Sequence, residues 1–283
     1  MINLIKANIY RLFNAKVTFV ILILAVLFYL MSFGVMRLVY NAYEPGQDEV
    51  VMNEAEEEGD TSVTFTYSDE YEHEEVNSYK MMVDMMGTGI ITMMVGVFAA
   101  IFTDEERKSG FLKNIPKPSC GKASVFLSKS VVMLLYSILM VLALLITAGV
   151  LAVVYHIGFI YDAGQFAIFL CKQVILLTAF GTAMLAFYEI FRKGIIVIII
   201  ALLSLTIVNC VQIVETVMVM KNIVSERFID LFGYSQYMIM TRTSEMTVGS
   251  DNAAHVSTWV VGLVSIVIYG IIGSLIYRKR DVL

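Results

Sequence analysis

Cysteine, proline, tryptophan and charge are all scarce in this chain, and each scarcity narrows what it can be. The three cysteines, at 120, 171 and 210, have no C-x-x-C spacing and imply no disulfide. Three prolines and one tryptophan in 283 residues leave long stretches without a helix breaker. Charged residues make up 16% of the chain, well below the quarter or so typical of soluble domains, which excludes an ordinary soluble fold. No G-x-x-x-x-G-K-[ST] loop is present, so the chain does not by itself hold ATP in the usual way. His73, His156 and His255 lack ligand spacing, and no nucleophile, base and orienting group can be assembled. No catalytic residue, metal or cofactor is therefore expected on this chain. The net charge of −5 comes almost wholly from one loop, and nucleic acid is not an expected partner.

What is abundant is apolar length. At 58% hydrophobic and a mean hydropathy of +0.77, the chain reads as an all-α polytopic membrane protein. Six segments have the roughly 20 apolar residues that a hydrocarbon core of about 30 Å requires. They run from Val17 to Met36, Met81 to Phe102, Val131 to Tyr155, Phe166 to Tyr188, Ile195 to Val214 and Val256 to Tyr277. Of the 20 Lys and Arg, 14 fall before the first span, between the second and third, between the fourth and fifth, or after the sixth. The positive-inside rule makes that side the cytoplasm and places both termini there.

Residues 1–16 place Ile2, Ile5, Ile9, Leu12 and Phe13 on one side of a helical wheel, which predicts an interfacial helix ahead of a six-span domain over 17–283. An extension of the first span is the other reading. The loop over 37–80 is external, with thirteen acidic residues against two basic ones. It reads as a solvated acidic loop, or as an electrostatic funnel for cations. VTFTY at 63–67 hints at a short strand. Residues 215–255 are too polar for a span and too apolar for a free loop, so they are expected to dip into or lie on the outer leaflet.

Three groups of residues stand out as candidate sites. The second span carries Met85, Met86, Met93 and Met94, whose flexible thioethers could line a path for apolar cargo or simply pack the core. Asp84 and Lys172 lie at similar depths near the outer ends of their spans, and a charge within a span is usually paired or snorkelling, so an Asp84–Lys172 ion pair is expected. The stretch from Thr103 to Lys129 runs through Glu105, Glu106, Arg107, Lys108, Gly110, Phe111, Leu112 and Lys113 to Pro116 and Pro118. It reads as a short amphipathic helix on the inner membrane surface that docks a partner, or as a basic loop that only holds topology.

These features together resemble the permease subunit of a type-2 ATP-binding-cassette exporter. The interfacial first helix, six spans, large outer loop after span one and re-entrant region before span six match that architecture. IFTDEERKSGFLKNI followed by PSCGKASVFLSK, and the ending IYRKRDVL, resemble its short motifs. The resemblance implies a main coupling helix around Glu105–Lys113, a second contact at the Arg192–Gly194 turn including Lys193, and a path between two permeases formed by spans one, two and five, the last carrying Asn209. It also implies a separate ATPase subunit holding ATP and Mg, a permease homodimer in the plasma membrane of a bacterial cell and amphipathic peptides as cargo, as in exporters of lantibiotics, bacitracin and phenol-soluble modulins. An ion-coupled secondary transporter and a membrane sensor or scaffold remain alternative classes.

Overall fold

A computed structural model describes residues 2–42, 76–110, 122–220, 237–249 and 257–279. The helices are α1 (Ile2–Asn14), α2 (Lys16–Ala42), α3 (Ser78–Gly87), α4 (Ile90–Lys108), α5 (Lys122–Val154), α6 (Ala163–Phe191), α7 (Gly194–Met220), α8 (Ile239–Glu245) and α9 (Thr258–Lys279). Four of them, α2, α5, α6 and α9, are long and apolar enough to cross a membrane, and the α3–α4 pair makes a fifth crossing if counted as one bent span. In α7 the apolar run extends over Gly194–Ile207. The acidic clusters of the outer loop, the possible strand at 63–67, His73, His255 and Cys120 lie outside the described residues.

The bundle is built around α6. Its most apolar window is 72% buried, against 22% for α2 and for α9, so α6 is the helix surrounded by protein while the other two face outward. Because lipid is as apolar as leucine, helices in a bilayer gain from close contact rather than from hiding apolar surface. Gly96 of α4 shows the consequence: a Cβ there would lie 2.5 Å from Phe180 of α6 and 3.2 Å from Ala201 of α7, so only glycine lets the three helices approach this closely. Tyr136 of α5 stacks on Phe98 of α4 with ring centroids 3.6 Å apart.

The second predicted span is two helices. Thr88 turns its hydroxyl back to the Met85 carbonyl (2.7 Å), and Gly89 adopts φ 75°, the left-handed conformation that ends a helix, before α4 begins. The two helices meet at a bend of 59°. Helix α8 sits against this break, since a Cβ on Gly89 would lie 3.3 Å from Met240 Sδ and one on Gly87 3.8 Å from the Ser244 carbonyl.

The N-terminal helix is separate from α2, broken at Ala15, with the Thr18 hydroxyl donating to the Leu12 carbonyl (2.6 Å). Leu4, Asn8 and Leu12 face the bundle, while Phe13, on the apolar side of the wheel, is half exposed. Asn8 is tolerated inside because its amide donates to Ser128 of α5 at 2.8 Å. Leu4, Val125 of α5 and Tyr277 of α9 form a small apolar cluster, which brings both described chain ends to one end of the bundle.

Candidate functional site

That end of the bundle carries a buried group of charges. Glu106, in the last turn of α4, lies 2.9 Å from Arg11 of α1 and 3.4 Å from Lys129 of α5, and Lys129 lies 3.4 Å from Glu189 of α6. Glu106 and Lys129 are each 1% exposed. Two cations and two carboxylates thus alternate from α1 through α4 and α5 to α6. Arg11 also donates to the Phe102 carbonyl and stacks over the Phe102 ring (4.0 Å), and the Tyr277 ring faces Lys129 at 5.5 Å. The Arg11–Glu106 contact is a close ion pair rather than an aligned hydrogen bond. Charges are expensive to bury singly, and this alternation leaves the cluster neutral while joining five helices.

One turn away, a second set of contacts ties α4 to the turn between α6 and α7. The Tyr188 hydroxyl donates to Asp104 at 3.1 Å, Lys108 pairs with the same carboxylate at 2.6 Å, and Gly194 packs closely against the Asp104 side chain. Arg107 donates to the Arg192 carbonyl at 3.0 Å. Arg192 itself ends α6 in the left-handed conformation, φ 56°, with its amide on the Tyr188 carbonyl (2.8 Å).

The residues singled out from sequence fall as follows. Glu105–Lys108 form the end of a continuous α4, not a separate surface helix, because the apolar second span runs into them without a breaker before Ser109 and Gly110. Glu105, Arg107 and Lys108 are exposed, and Glu106 points inward, where Arg11 and Lys129 meet it. Gly110 follows at φ 66°, and Phe111, Leu112 and Lys113 lie outside the described residues. Arg192 and Lys193 are exposed beside the α4 end. Met85, Met86 and Met94 are buried in the core and Met93 is half-buried, so within one copy of the chain they are packed against neighbours. Asn209 lies on α7. Asp84 occupies an exposed face of α3 and Lys172 is half-buried on α6; their pairing rests on the sequence argument alone.

Sequence reasoning counts Arg11 and Lys129 among the basic residues that set orientation and joins neither of them, nor Glu189, to Glu106. Each stands within a turn or so of an apolar run at the same membrane side, which was the available signal. Partner choice across 95 residues, from Arg11 to Glu106, is a tertiary fact.

The geometry of this end, where two polar segments from distant parts of the chain are held side by side, can be set against known proteins. Residues 61–209 match the family described as ABC-2 family transporter protein, more than half of the 283-residue chain. The chain belongs to this family. It is an ABC-2 type permease and a multi-pass membrane protein. The matched region contains the α3–α4 break, the Asp104 contacts and the α6–α7 turn. No curated protein matches the sequence.

Proposed function

We propose that this ABC-2 permease forms the membrane path of an ATP-driven exporter whose ATP and Mg are bound by a separate ATPase subunit. The observation that carries the reading is the family match over 61–209, which spans both exposed segments suited to docking, the α4 end and the Arg192–Gly194 turn. Counting α7 as a crossing gives six spans with both termini in the cytoplasm, an outer re-entrant region around α8 and an acidic outer loop. A permease homodimer in the plasma membrane of a bacterial cell encloses the path, with the methionine-bearing α3–α4 pair and α7, including Asn209, closest to it. Methionine adapts to irregular apolar shapes, and the acidic loop attracts cations, so amphipathic cationic peptides are the cargo class that fits both.

Purification of the tagged protein from its native host in mild detergent, with mass spectrometry of stoichiometric partners, tests the assembly. An ATPase with a phosphate-loop motif at about one copy per permease is expected, and a cationic amphipathic peptide such as a lantibiotic should raise its hydrolysis rate. An intact, monodisperse permease with no ATPase would overturn the reading in favour of an ion-coupled carrier or a sensor.

A further inference from the structure

The geometry points to Asp104 as the residue that makes the α4 end and the α6–α7 turn one rigid docking surface for an acidic face of the ATPase partner. The inference rests on the exporter reading and adds to it the way force reaches α6 and α7.

Two segments that each touched a partner separately would need no contact with one another. Here they are fastened at two points, the Tyr188 hydroxyl to Asp104 (3.1 Å) and Arg107 to the Arg192 carbonyl (3.0 Å), while Lys108 of the same helix holds the Asp104 carboxylate (2.6 Å). The fit at Gly194 is close. A Cβ there would stand 3.0 Å from Asp104 Cγ and 3.1 Å from its Cβ, so a side chain would require Asp104 or the turn to give by a few tenths of an ångström. Gly194 is also the first residue of α7, which places the fastening at the point where α7 leaves the turn.

The surface so formed exposes Glu105, Arg107, Lys108, Arg192 and Lys193; with the Asp104 carboxylate that Lys108 pairs with, four positive and two negative charges leave a balance of +2. Arginine and lysine on a fixed frame suit carboxylates on a protein, which reward geometry as well as charge. A membrane surface rewards charge alone and would leave these side chains free to snorkel. Arg107 does the opposite: its guanidinium is turned back onto the Arg192 carbonyl. An ATPase face rich in Asp and Glu is therefore the occupant.

The test separates docking from transmission, using the complete permease–ATPase complex in nanodiscs with Cys120, Cys171 and Cys210 replaced by serine. Single cysteines at Glu105, in α4, and at Ile195, exposed at the start of α7, report maleimide labelling with and without ATP and vanadate. In the otherwise native chain both rates are expected to change together. Tyr188→Phe and Asp104→Asn should leave the ATPase bound, preserve the response at Glu105→Cys and remove most of that at Ile195→Cys. Responses that stay parallel in both variants would show that Asp104 does not join the segments. Arg192→Glu with Lys193→Glu leaves the Tyr188–Asp104 bond and the Arg192 backbone carbonyl in place and should weaken retention of the ATPase by about tenfold, more steeply as salt rises. Unchanged retention, or loss only of phosphatidylglycerol binding, would overturn the docking surface. If the native complex contains no ATPase, it is the exporter reading that fails, and this is seen before any variant is made.

Discussion

At the scale of single residues, the most consequential positions are Glu106 and Lys129, both ionisable and both fully buried. A buried pair is weak evidence of net stability, yet removing one member leaves the other charge uncompensated at a cost of about 3–5 kcal/mol. Glu106→Leu should therefore lower the thermal midpoint in detergent sharply, because it removes the carboxylate from Arg11 and leaves Glu189 as the carboxylate beside Lys129. Arg11→Met combined with Glu106→Leu removes one charge of each sign and leaves the Lys129–Glu189 pair. That double variant should recover most of the loss, and a midpoint no better than the single Glu106→Leu would refute the alternating arrangement. Asn8→Ala leaves the Ser128 hydroxyl without its donor and should cost about 1 kcal/mol in the same assay.

At the scale of elements, the break between α3 and α4 is the feature with a backbone cause. Gly89 holds φ 75°, which costs a residue bearing a Cβ about 1–2 kcal/mol, and its Cβ would also meet Leu205 Cδ1 at 3.0 Å. Gly89→Ala is expected to destabilise by at least that amount in thermal unfolding followed by tryptophan-independent dye fluorescence. Gly34→Ala is the control: nothing lies within 4 Å of its added methyl, so it should be neutral or stabilise by up to about 1 kcal/mol. Equal effects at the two sites would mean that the left-handed turn at Gly89 is dispensable. In helix α1 the apolar side of the wheel includes Ile5, Ile9 and Phe13, while Leu4, Asn8 and Leu12 face the bundle, with Asn8 bonded to Ser128.

At the scale of the whole molecule, the outward faces of α2 and α9 and the central place of α6 describe a bundle solvated by lipid. The orientation proposed for it rests on the basic residues rather than on packing, and it can be measured. A membrane-impermeant maleimide should label His156→Cys, in the turn between α5 and α6, only from outside intact cells, and Lys193→Cys only in inverted vesicles. Labelling of both from the same side would reverse or remove the assigned topology.

The sequence by itself determined the solvent, the helical class, most helix positions and the side on which basic residues gather, because the bilayer imposes a length and a composition on every crossing segment. It also carried the resemblance that the family match supports at the level of an ABC-2 permease. Tertiary structure decided the rest. That Glu106 turns inward, that Asp104 accepts a hydrogen bond from Tyr188, 84 residues away, and that α8 sits against Gly89 depend on which helix faces which. Hydropathy says how deep a residue lies and not what stands beside it, and in a bundle held by close contact it is the neighbour that sets a charge's role.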